Sequence, residues 1–145
     1  MNTEIISGLN GLLSDAIIFR FKAQQRHWNI RGHHFFELHV KFEEQYNLWT
    51  EIIDELAERL RSLDATPPRT IADIFELAAI VEAPEETSEK DMAEGTITDF
   101  ETMRNRMLAV SRKAGEAQDR STENLLDPYI DYLSKQHWMF TAFLG

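Results

Sequence analysis

The chain has 145 residues, 43% of them hydrophobic and 28% charged, which suits a single domain over residues 1–145 and excludes both a disordered acidic tail and a membrane protein. Fifteen basic against twenty-five acidic residues leave a formal charge of −10, the wrong sign for a domain that tracks phosphates, so cations are the expected clients. Without cysteine there is no disulfide, thiolate metal site or cysteine nucleophile, so any metal chemistry falls to His, Asp and Glu, and a reducing compartment is expected. Asn2, Thr3, Glu4, Ser7, Asn10, Ser14 and Asp15 interrupt the first apolar residues, and neither a signal peptide nor a membrane span is predicted.

Apolar residues recur at intervals of three and four along almost the whole chain, which predicts an all-α fold. A first helix is expected from about Asn2 to Asn29, with Ile5, Leu9, Leu12, Ala16 and Phe19 on one stripe, broken by Arg31 and Gly32. A second is expected from Phe35 to Leu63, with Phe42, Tyr46, Trp49, Ile53, Leu56, Leu60 and Leu63 as its core seam. Pro67 and Pro68 open a connector, in which Ile71, Ile74, Phe75 and Ala78 predict one short helix before Pro84. Ser88, with Asp91 three positions on, is the expected N-cap of a third long helix reaching about Ala117, with Ala93, Ile97, Phe100, Met103, Met107, Val110 and Ala114 facing inward. A fourth carries Leu126, Ile130, Leu133, His137, Phe140 and Leu144, and Pro128 either kinks it or marks a fresh start capped by Asp127. The sum is a ferritin-like four-helix bundle with a short extra helix in the crossover between the second and third long helices.

On the second helix His39, Glu43, Asp54 and Glu58 lie at roughly 0°, 40°, 60° and 100°, one face rotated by roughly 110° from the core seam. A solvated charged face explains Asp54 and Glu58 by themselves. Yet His39 and Asp54 are fifteen residues apart, roughly 22 Å along a helix, so no single metal can use both pairs within one subunit. Two copies of the helix packed antiparallel about a two-fold axis near Leu48 and Trp49 would instead bring the His39/Glu43 end of one to the Asp54/Glu58 end of the other. The usual carboxylate centre inside one bundle needs Glu-x-x-His pairs, and the sequence has none. His27 ends the first helix beside Trp28 and is the remaining candidate ligand, with a cap or surface role as the alternative.

The runs His27-Trp28-Asn29-Ile30-Arg31-Gly32, Phe35-Phe36, Leu38-His39, Phe42-Glu43-Glu44-Gln45-Tyr46 and Asp54-Glu55-Leu56-Ala57-Glu58-Arg59 resemble the Dps family, the miniferritins that protect bacterial DNA during starvation and oxidative stress. The likeness continues through Trp138-Met139-Phe140 and Ala142-Phe143-Leu144-Gly145 and so covers nearly the whole chain. It implies a cytoplasmic dodecameric shell, with nucleoid association as an option, that oxidises Fe(II), preferably with hydrogen peroxide, and stores Fe(III). It also implies two-iron ferroxidase centres at two-fold interfaces, with His27 and His39 from one subunit and Asp54 and Glu58 from its neighbour. Glu43 stands where the family often has Asp. Mixed imidazole and carboxylate ligation suits Fe(II), with Zn or Mn as substitutes. Trp28 would be either an electron donor to a singly loaded centre or a packing residue.

Direct DNA binding, the alternative function, is disfavoured because the first basic residue is Arg20 and neither end carries a Lys/Arg-rich arm. Asp119, Glu123 and Asp127 recur every four residues and fit two readings equally, an acidic iron-entry pore at a three-fold axis or the ordinary answer to a helix dipole. His33 and His34 are expected on the surface, and His137, at a core spacing, is expected as a hydrogen-bonded structural histidine.

Overall fold

The computed structural model describes residues 2–145. Four long helices and one short one account for the regular structure: α1 (Thr3–Asn29), α2 (Phe35–Ser62), α3 (Ile71–Leu77), α4 (Glu89–Glu116) and α5 (Arg120–Leu144). Short turns make α1–α2 and α4–α5 antiparallel pairs, and the long connection holding α3 carries the chain back along α1. No helix among the described residues is long and apolar enough to cross a membrane.

Local chemistry fixes the ends of these helices. The Ser88 side chain accepts a hydrogen bond from the Asp91 amide, as its spacing predicts, and Thr70 does the same for α3 through the Asp73 amide. Gly32 has φ +137°, and a Cβ there would run into the Glu89 carboxylate, so the α1–α2 turn needs glycine both for its backbone and for this close approach. α5 decides between the two readings of Pro128. The helix is capped by Asp119 and runs continuously through the proline, so Asp127 caps nothing.

The core is a cluster of rings drawn from all four long helices. Phe19 meets Trp49 at 5.2 Å and Phe100 at 5.6 Å between centroids, and Phe140 meets Phe100 at 5.8 Å and Phe42 at 6.3 Å. These contacts set the rotation of α2, whose buried line is Leu38, Phe42, Gln45, Trp49, Ile52, Leu56 and Leu60. Gln45 and Ile52 thus take the buried places expected for Tyr46 and Ile53, which are only partly covered. In α5, Tyr129 and Gln136 likewise displace Ile130 and His137. His137 is a correction to the sequence reading, because it is part-exposed and faces Glu101 at 3.5 Å. His33 and His34 are exposed, as expected.

Charged side chains on α1 tie the crossover down. Asp15, Lys22 and Arg26 are separated by seven and four residues, which keeps them within about 40° on one face. Asp15, fully buried, accepts from the Ala79 and Ile80 amides and pairs with Arg106 of α4. Lys22 donates to the Val81 carbonyl at 2.8 Å and reaches Asp99 of α4, while Arg26 makes a two-pronged bond to Glu86 and a third contact to Asp99. The crossover therefore follows α1 in register, with residues 79–80, 81 and 86 meeting 15, 22 and 26 in turn.

Replacing Asp99 by Ala would leave two buried cations sharing less counter-charge. The expected cost is about 3–5 kcal/mol of unfolding free energy, the scale for breaking a buried ion pair. Urea unfolding of the variant measures it, and a loss near that of a surface substitution would remove Asp99 from this role.

Candidate metal centre

His27 lies in the last turn of α1, where carbonyls lack helical partners, and His39 lies one turn into α2 directly across from it. The two residues are bonded reciprocally. His27 Nδ1 donates to the His39 carbonyl at 2.7 Å, and His39 Nδ1 donates to the His27 carbonyl at 2.8 Å. A carbonyl can only accept, so both Nδ1 atoms carry hydrogen and each imidazole keeps Nε2 as its free ligand atom. The rings stack with centroids 3.7 Å apart and planes 17° from parallel. Phe35 stacks on the outer side of His39 at 4.8 Å, and Tyr46 stands edge-on against His27 at 5.3 Å.

Glu43, one turn beyond His39, brings its Oε1 to 3.8 Å from His27 Nε2. One ligand atom from each of His27, His39 and Glu43 lies within 4.8 Å of the others, and this is the one group of three or more potential ligands of its kind among the described residues. Such a span is close to that of atoms sharing a cation with bonds of about 2.0–2.2 Å. His27 is buried and Glu43 exposed, so the cluster is backed by protein on one side and open on the other. It is an incomplete shell, with two imidazole nitrogens and one carboxylate.

Asp54 and Glu58 are both exposed and belong to no such cluster among the described residues. Trp28 is 59% exposed, and its ring packs against Phe21 at 6.4 Å. Asp119 is committed, since its carboxylate accepts from the Thr122 amide and hydroxyl and pairs with Arg59 at 2.9 Å. Burial works against its ionisation, but the Thr122 hydrogen bonds and Arg59 outweigh that and hold its pKa below the ordinary carboxylate value. Glu123 is partly covered beside Gly115, and Asp127 is exposed. Sequence reasoning missed the two carbonyl bonds and the flanking rings of Phe35 and Tyr46. The four-residue step from Phe35 to His39 was a legible signal for one of them.

A ferritin-like domain profile matches residues 6–145. A "DNA protection during starvation protein" of Brevibacillus brevis is 36% identical over 136 residues, covering 94% of this chain and 91% of its own. The chain belongs to the Dps family. General stress protein 20U of Bacillus subtilis is 31% identical over the full length of both chains. Among solved structures, a Dps protein from Bacillus brevis superposes with a TM-score of 0.96 at 34% identity, covering 99% of this chain and 97% of the other. The Dps protein of Vibrio cholerae O1, described as a member of a broad superfamily of ferritin-like diiron-carboxylate proteins, gives 0.95 at 33% identity, covering 99% of this chain and 91% of the other. The Dps fold, a ferritin-like four-helix bundle with an additional short helix, is thus the fold expected from the sequence.

The turn beside the centre carries a pH-dependent tie. His34 donates through its amide and Nδ1 to the Glu89 carboxylate, at 2.7 and 2.8 Å. The Glu89 hydrogen bond raises the His34 pKa above 6.5, and the His34 backbone and side-chain hydrogen bonds lower that of Glu89 below 4.5. His34 therefore adds stability that is complete below 6.5 and is lost as pH rises through its folded value. Glu89 adds stability that is present above 4.5 and is lost as pH falls through its folded value. In an NMR titration the His34 midpoint should lie above 6.5 and return toward it in Glu89→Gln; an unmoved midpoint would show that the pair does not persist in solution.

Proposed function

We propose that this Dps-family protein is a cytoplasmic ferroxidase and iron store whose centres are completed by assembly. One subunit supplies His27, His39 and Glu43, and its neighbour supplies Asp54 and Glu58. The observation that carries the reading is the reciprocal histidine pair, which leaves the Nε2 atoms of both rings beside one carboxylate and that half-site short of anionic ligands. Two more carboxylates would bring the anionic charge from −1 to −3, more than offsetting one divalent cation, and still leave positions for water or peroxide. Asp54 and Glu58 are exposed on the same helix at a separation that an antiparallel two-fold pairing of α2 would bridge.

Fe(II) is the substrate this donor set suits, with Zn(II) or Mn(II) as competitors. Reduction of hydrogen peroxide to water takes two electrons and each Fe(II) yields one, so paired centres avoid release of hydroxyl radical. The two histidines hold their Nε2 atoms in place, Glu43 and the neighbour's carboxylates supply the charge, and the surrounding dodecamer holds the Fe(III) product. A net charge of −10 per chain concentrates cations and disfavours contact with DNA phosphates.

Asp54→Ala combined with Glu58→Ala should slow peroxide-dependent Fe(II) oxidation by more than ~100-fold, beyond the loss typical of a group outside the ligand shell, while circular dichroism and particle size stay unchanged. Shells co-assembled from that variant and His27→Ala/His39→Ala subunits, each inactive alone, should recover part of the activity. Verified mixed shells with no recovery would overturn the shared centre.

For iron entry we propose the first turns of α5 at a three-fold axis, with Glu123 and Asp127 as the carboxylates that attract the cation and Asp119 holding the helix start. Glu123→Gln with Asp127→Asn should slow iron uptake most at low salt and leave the centre's own oxidation step intact. Uptake that is the same at every ionic strength would send the entry route elsewhere.

A further inference from the structure

We propose that the seam between α2 and α5 binds internal water, held by the side chains of Gln45, Trp49 and Gln136. Gln45 and Trp49 are fully buried and Gln136 is 7% exposed. Yet Gln45 Nε2 and Oε1, Trp49 Nε1 and Gln136 Oε1 have no hydrogen-bond partner among the described residues. The one hydrogen bond these three side chains do make there is weak, from Gln136 Nε2 to the Met139 sulfur at 3.8 Å. The four bare atoms belong to one place. Phe42 meets Phe140 on one side and Trp49 meets Tyr132 on the other, so α2 and α5 run antiparallel here with Gln45 and Gln136 between the two ring contacts. Counted from Phe42 and Phe140 at about 1.5 Å per residue, the two glutamines lie at heights about 1.5 Å apart.

A buried polar group gives up its water on folding and is almost always repaid with another hydrogen bond. Swinging one amide could join Gln45 directly to Gln136, but that bond uses one donor and one acceptor. It leaves the Trp49 N–H and the second polar atom of Gln45 bare. Water both donates and accepts, so it serves the two N–H groups and the two carbonyls alike. The ligand is neutral for a matching reason: the four atoms carry no charge and the buried lines of α2 and α5 hold no carboxylate, so a cation would find no counter-charge there. Bound water accounts for two amides that face inward where the three-and-four pattern calls for apolar residues. It also ties α5 to the stretch of α2 that carries His39 and Glu43, six and two residues before Gln45. The site stands independently of the ferroxidase reading.

The test is a crystal structure of the assembled protein at a resolution that shows ordered water, set beside that of the double variant Gln45→Met/Gln136→Met, which keeps side-chain length and removes both amides. Wild type should show at least one water between the two ring contacts, within about 2.7–3.2 Å of polar atoms from at least two of the three side chains. The double variant should lose that water while Phe42 stays against Phe140 and Trp49 against Tyr132. Wild-type amides bonded directly to each other, or wild type with no density between the rings, would overturn the proposal. Water that persists undiminished in the double variant would overturn it as well, by showing that other groups hold it. The wild-type structure decides by itself if the variant does not fold.

Discussion

The Asp99 carboxylate is the point on which the arrangement of the bundle turns. It receives both Lys22 and Arg26, two cations buried on one face of α1, and without it Lys22 has no carboxylate partner and Arg26 keeps only Glu86. Through Lys22 and Arg26 the same face holds the crossover at Val81 and Glu86, so one carboxylate links α1, the long connection and α4. The stretch of crossover between α3 and α4 is the costly part of this topology because its backbone must be satisfied without a helix or sheet of its own. Here side chains of α1 supply those partners, and Asp15 adds two more at Ala79 and Ile80.

That anchor also sets the candidate metal ligands. Arg26 fixes the last turn of α1 against Glu86 and Asp99, and His27, one residue and about 100° further round, is thereby turned toward α2. There the unpaired carbonyl of a helix end serves as the acceptor that holds His39, and His39 returns the bond from its own carbonyl. Each histidine orients the other, which is the task usually given to an outer carboxylate. On the proposed reading the ligand nitrogens are thus fixed before any metal arrives, and the centre's supporting contacts are local to two helices while its counter-charge is left open.

Periodicity made α1, α2 and α4 legible to within a residue or two while leaving the start of α5 open, and Ser88 marked its cap because Asp91 stood three residues on. The rotation of α2 was less legible. Gln45 reads as a surface residue, yet rings on both sides of it, Phe42 on Phe140 and Trp49 on Tyr132, draw it into the core. The stripe Asp15, Lys22, Arg26 was invisible for the same reason, since charge predicts exposure unless the partners are known, and those partners come from 59 to 91 positions away. At the centre, spacing placed His39 and Glu43 on one face, and the structure adds His27 from another helix. What spacing could not supply was the hydrogen-bond pattern that selects the free nitrogen, because that depends on carbonyls and carries no side-chain signature.

The packing of the interior explains why the candidate centre lies at the flank of the bundle. Phe19, Trp49, Phe100 and Phe140 fill the middle of the four helices, where a metal would need carboxylates from several of them and would find rings. Ligands pushed to the edge lose the low-dielectric surroundings that strengthen their hold on a cation. They gain access to a second copy of α2, whose exposed carboxylates are of no use to their own subunit. An aromatic core and a divided ligand set are therefore two sides of one constraint. A chain that fills its bundle with rings can build a strong anionic centre only where another copy of itself brings the missing charge, and on the proposed reading that makes the chemistry conditional on assembly.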